Sequence, residues 1–134
     1  MEFYYADLHE DLDGEIFHPR IPINRLNTED GTIPRVCVSS SIPGCLTAMP
    51  KYRVGYIVHV YKVESDQYLQ PSTSLLPDVP FTGEFWILEP VKLKKFMTIL
   101  IQSHTKHSVN GIDLDTYTYR YLSDNEWKDL EHNK

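Results

Sequence analysis

Long apolar runs, basic charge and cysteine are all scarce in this chain of 134 residues, and each shortage removes a class of function. No hydrophobic stretch approaches the roughly 18–20 residues that a membrane-spanning helix requires. Thirteen Lys and Arg stand against nineteen Asp and Glu, a net charge of −6. That balance makes DNA or RNA an unlikely main partner, because phosphate contacts need clustered cations. The one basic cluster, Lys92, Lys94 and Lys95, is short and reads as the solvated edge of a strand. The two cysteines, Cys37 and Cys45, follow no metal or redox spacing. Their number is compatible with one disulfide, but a sizeable core favours reduced, packed thiols. The first residues carry no basic region and no signal-peptide core, so a cytoplasmic protein is expected. Only six glycines are present, with no phosphate-binding loop and no nucleophile elbow among them. Repeats and low-complexity segments are absent.

What the chain does have is composition for one folded domain, residues 1–134: 41% hydrophobic and 24% charged residues are ordinary for a globular protein. The aromatic stretch at 2–6 predicts a first strand. Residues 15–34 hold Pro19, Pro22 and Pro34, which predicts a long ordered loop packed down by Phe17, Ile21, Ile23 and Leu26. A short strand is expected at 35–39. A helix should follow it, with Ser41 as N-cap and Pro43 in the first turn. Further strands are predicted at 54–62, 85–88, 96–101 and 115–121, the last alternating strictly as an edge strand does. Ser123 and Glu126 have the spacing of a capping box and predict a C-terminal helix carrying Trp127 and Leu130. The expected architecture is α+β and strand-dominated, with about six short strands and two short helices. His104-Thr-Lys-His107 reads as a solvated loop. His59-Val-Tyr61 and His104-Thr-Lys106 both lack the Ser or Thr that a two-histidine phosphodiesterase would need in the third position.

One segment stands out chemically. Pro80-Phe-Thr-Gly-Glu-Phe-Trp-Ile-Leu-Glu-Pro90 sets a carboxylate, Glu84, at the mouth of a core strand. A charge there is costly to desolvate unless it is paired or used.

The order of first strand, proline-rich loop, Cys37-Val-Ser-Ser-Ser-Ile-Pro-Gly-Cys45 and Glu84-Phe-Trp-Ile-Leu-Glu-Pro-Val resembles small ADP-ribosyltransferase-like domains. The strings Pro19-Arg-Ile-Pro22, Pro34 to Cys37, Ile42 to Leu46 and Thr82 to Trp86 are also similar to uncharacterised small proteins of phages and Firmicutes. The first resemblance implies a split sheet that binds NAD or an ADP-ribose-type nucleotide and transfers ADP-ribose to a protein or nucleic acid. In that reading Glu84 is the catalytic carboxylate that stabilises an oxocarbenium-like ribose. Tyr5 stands at the first-strand position that grips ribose or phosphate, and Ser39 and Ser40 support the nicotinamide end. The helix start after Ser41 offers N–H groups to an amide or a phosphate, and Arg20 and Arg35 contact the pyrophosphate. Two departures accompany it: Tyr5 stands where the family has His or Arg, and Thr82 denies the chain a Glu-x-Glu. They keep open a second reading, a non-enzymatic phage or mobile-element protein that inhibits a host defence complex by binding it.

Overall fold

The architecture follows from where the chain alternates. The computed structural model describes residues 1–21, 33–48, 52–74 and 76–132. Its strands and helices, in chain order, are β1 (Glu2–Asp7), β2 (Ile16–Phe17), β3 (Val36–Ser39), α1 (Ile42–Ala48), β4 (Ile57–Glu64), β5 (Tyr68–Leu69), α2 (Val79–Thr82), β6 (Glu84–Ile87), β7 (Val91–Lys92), β8 (Lys94–Val109), β9 (Ile112–Leu122) and α3 (Asp124–His132). Seven strands form one sheet in the order β5-β6-β3-β1-β4-β8-β9, with every neighbouring pair antiparallel. β2 and β7 form a separate two-stranded sheet.

The fold is therefore α+β and strand-dominated, as expected, but the strand count needs correction from about six to nine among the described residues. The six expected strands are all present. The three additional ones, β2, β5 and β7, are two residues each. β2 lies in the stretch 15–34 whose prolines argued for a loop, and strands of two residues leave no periodicity to read. A third helix, α2, is likewise added. It starts at Val79, carries Pro80 in its first turn and ends on Gly83 at φ 61°, a C-cap conformation that favours glycine.

The largest extension concerns β8. It runs sixteen residues and pairs with β9 as far as Val109 and Ile112. His104 to His107 thus belong to a strand rather than a loop. His104 Nε2 meets Asp115 Oδ1 at 2.6 Å, and its ring stacks on Tyr117.

Alternation assigns two packed faces. Ala6, Val58, Val60, Ile99 and Ile101 pack against Ile42, Cys45 and Leu46 of α1. On the opposite face, Phe3, Val36, Val38, Tyr61, Val63 and Ile87 pack against Val91 and Phe17 of the small sheet. Trp127 of α3 joins Ile57 and Leu122 on that same side. Both predicted helix starts are seen in detail. The Gly44 amide donates to Ser41 Oγ at 3.1 Å. The Glu126 amide donates to Ser123 Oγ at 3.3 Å, and the Ser123 amide returns a bond to Glu126 Oε1 at 3.2 Å, the reciprocal capping box. Cys37 and Cys45 form no disulfide with one another. Burial pushes the Cys45 thiol up to about 12, so it behaves as a small apolar side chain. Of the loop 15–34, Phe17 packs as predicted, while Pro22, Ile23 and Leu26 lie outside the described residues.

Candidate functional site

Glu84 opens β6 directly across from Ser39 of β3, and Ser39 in turn lies opposite Tyr4 of β1. This line explains which predicted residues can meet. Glu84 and Ser39 share the face that carries α1. Successive residues of a strand point to opposite faces, so Tyr5 belongs to the other side. There it packs with Phe17 at 5.1 Å and donates its hydroxyl to Asp7 Oδ2 at 2.7 Å. Burial, helped by that carboxylate, pushes the Tyr5 phenol far up. Tyr5 is thus separated from Glu84 by the sheet itself, and the expected grouping of the two around one ligand is corrected.

The serines are used locally. Ser39 is buried; its hydroxyl donates to the Thr82 carbonyl at 2.5 Å and accepts from the Ser41 amide at 3.3 Å. Ser41 caps α1. Ser40 is exposed, and its amide bonds the Gly83 carbonyl at 3.0 Å. The two arginines form a backbone bridge with one another, but only Arg20 is exposed. Arg35 is 1% exposed, lies 3.8 Å over the Trp86 ring and donates to the Ile33 carbonyl at 3.2 Å. A pyrophosphate cannot reach it, so its expected role as a nucleotide contact is corrected to a core cation. Trp86 completes this group by donating its indole N–H to Glu84 Oε2 at 2.7 Å.

A second constellation went unread in the sequence. His59, in the middle of β4, is 0% exposed. Its Nε2 lies 3.2 Å from Glu131 Oε1 of α3, and its Nδ1 lies 2.5 Å from Lys95 Nζ and 3.2 Å from Thr98 Oγ1. The Trp127 ring meets the imidazole edge-on at 4.9 Å. Glu10 reaches in from the loop after β1, so that Glu10, His59 and Glu131 hold potential ligand atoms within 4.8 Å of one another. A cationic Lys95 beside Nδ1 makes that nitrogen an acceptor, leaving the proton on Nε2 as a donor to Glu131.

Burial, followed by the charge of Lys95, pushes His59 down to about 4. Burial also lowers Lys95, and the neighbouring Glu131 carboxylate holds Glu10 above the usual range. The only sequence signal was a lone histidine inside the apolar run Ile57-Val-His-Val-Tyr61. Its partners stand 36 and 72 positions away, beyond any motif. Lys95, expected on a solvated edge, is instead half-buried over Tyr61 and Trp127.

This geometry fixes a pH dependence. The folded value of His59, about 4, lies below an unfolded value near 6.5, so the unfolded chain binds more protons between the two. Stability should be complete above about pH 6.5 and should fall as the pH drops toward 4, by about 2 kcal/mol for a fully buried imidazole. Urea midpoints at pH 7 and pH 4.5 measure it, and a His59 proton resonance titrating above pH 6.5 would contradict it.

No protein-family model, no curated protein and no solved structure matches this chain.

Proposed function

We propose that this protein acts by binding, and that it takes an extended segment of another protein along the outer edge of β9. The observation that carries this reading is the asymmetry of the sheet's two ends. One end is β5, two residues long; the other is β9, eleven residues long, and no described strand pairs with its outer side. Exposed edges are normally kept short or guarded by Pro, Lys or a bulge on the edge strand, because their free N–H and C=O groups template further pairing. The sequence of β9, Ile-Asp-Leu-Asp-Thr-Tyr-Thr-Tyr-Arg-Tyr-Leu, contains no Pro and no Lys, and its charges, Asp113, Asp115 and Arg120, leave the run from Thr116 to Tyr119 uncharged. The irregularity in the β8–β9 pairing lies between Ile101 and Ser103 of β8. Alternating Thr and Tyr are strong strand formers, and Tyr121 is 62% exposed. A partner strand would gain main-chain hydrogen bonds from this edge and side-chain contacts from the tyrosines. Exposed Asp113 and the net charge of −6 favour a segment with Lys or Arg at alternate positions.

Panning a library of ten-residue peptides against the protein tests this. Enriched sequences should alternate β-branched with basic residues and should slow hydrogen exchange in residues 112–122. Tyr121→Lys and Thr118→Lys, both at exposed positions, should weaken such peptides at least tenfold. Protection confined to other elements, or self-association through β9 in sedimentation, would overturn the proposal.

A second reading, NAD or ADP-ribose binding on an ADP-ribosyltransferase-like split sheet, has in its favour the pairing of Glu84 with Ser39. The burial of Arg35 and the placement of Tyr5 count against it. A thermal-shift panel decides between them, since a ligand of the native state raises the melting temperature. No shift with NAD or ADP-ribose is expected. A shift lost in Glu84→Gln would favour the second reading.

A further inference from the structure

We infer that Glu10, His59 and Glu131 form a binding site for a divalent transition-metal ion of the zinc class, which would tie α3 and the loop after β1 to the centre of the sheet. The three residues come from three separate parts of the chain, the loop after β1, strand β4 and helix α3, yet their donor atoms converge within 4.8 Å. One imidazole nitrogen with two carboxylates is a donor set suited to Zn²⁺, Co²⁺ or Mn²⁺, whereas Mg²⁺ and Ca²⁺ prefer oxygen alone. Two features distinguish this cluster from acidic groups that meet by chance at a surface. The imidazole is fully buried and presents Nε2 to the Glu131 carboxylate. Thr98 Oγ1 stands 3.2 Å from the other ring nitrogen, where a ligating histidine commonly has an orienting partner. Two carboxylates held this close repel when both are ionised, and a dication between them reverses that repulsion.

Lys95 bears directly on the proton balance. Its ammonium contacts Nδ1, the nitrogen that faces away from the carboxylates. Metal at Nε2 displaces the proton held there, which leaves to solvent past exposed Glu10. Nδ1 then takes a proton from Lys95, whose neutral amine accepts the new N–H bond. Glu10 is exposed, so the fourth position of a tetrahedral ion would fall to water.

The test uses the whole protein with Zn²⁺, Co²⁺, Mg²⁺ and Ca²⁺ supplied singly. Zn²⁺ should raise the melting temperature and change Trp127 fluorescence, because that ring touches His59. Co²⁺ should give visible d–d absorption, and Mg²⁺ and Ca²⁺ should have no effect. Glu131→Gln and Glu10→Gln, at half-exposed and exposed positions, should each weaken Zn²⁺ binding at least tenfold while leaving the metal-free melting curve near that of the parent. His59→Gln should abolish binding. Absence of any Zn²⁺ effect on the parent, or a Zn²⁺ effect that survives both glutamate changes, would overturn the inference.

Discussion

Replacing Gly44 by alanine should destabilise the protein by about 3 kcal/mol or more, although alanine is the better helix former by about 1 kcal/mol. The reversal of sign comes from contact. Gly44 lies buried in the first turn of α1, where the helix crosses the end of α2. A Cβ added there would sit 2.0 Å from the Thr82 carbonyl oxygen, 2.5 Å from Ser39 Oγ and 2.9 Å from Ser41 Oγ. Neither near neighbour can yield cheaply. The Thr82 oxygen is backbone and accepts the Ser39 hydroxyl, and the following residues enter β6 in register with β3. The helix must therefore lift, which loosens Ile42, Cys45 and Leu46 in the core beneath it. A loss of this size lowers the melting temperature by about 10 °C in a chain of this length. Thr47→Ala, in the same helix but only partly buried, should stay within about 0.5 kcal/mol. Equal melting curves for Gly44→Ala and the parent would show that α1 does not approach α2 as described.

How much of this was legible in the sequence depends on the range of the interaction. The caps at Ser41 and Ser123 were readable because both partners lie within three residues and the chemistry is local. β6 and β9 were readable because their side chains carry the burial signal. β8 was cut short because Ser103 to His107 are polar on both faces. That half of the strand is held by its pairing with β9 rather than by burial, and pairing leaves no periodicity. Arg35 was misplaced for a different reason. Charge in a sequence reads as surface, and nothing near Arg35 announces that Trp86, on another strand, covers it. The line from Glu84 through Ser39 to Tyr4 shows how narrow the margin is, since Tyr4 and Tyr5 are the same residue type in adjacent positions yet point to opposite faces. His59 was visible only as an oddity in an apolar strand, because its partners Lys95 and Glu131 arrive from β8 and α3.

Trp86→Ala should be the most damaging substitution, at about 5 kcal/mol, a large part of the 5–15 kcal/mol that holds a typical domain together. Three losses combine. The indole, 1% exposed, fills the space between Leu76, Val79, Cys37, Leu69 and Ile33, and a cavity of that size costs about 3–5 kcal/mol. Arg35 loses the ring face beneath its guanidinium while remaining buried, which adds about 1–2 kcal/mol. The bond to Glu84 Oε2 also disappears. Trp86→Phe separates these contributions. A phenyl ring keeps a face for Arg35 and most of the apolar contact but loses the N–H, so it should cost about 2 kcal/mol. Glu84→Gln keeps a carbonyl acceptor for the indole and should cost under about 1 kcal/mol. Denaturant midpoints for the three variants must then rank Trp86→Ala lowest and Glu84→Gln highest. If Glu84→Gln instead matched Trp86→Ala, the carboxylate rather than the indole would anchor this group. The expected order assigns Glu84 a subordinate place: a half-buried carboxylate held by the tryptophan two residues on. That role accounts for its position at the strand mouth without requiring a ligand.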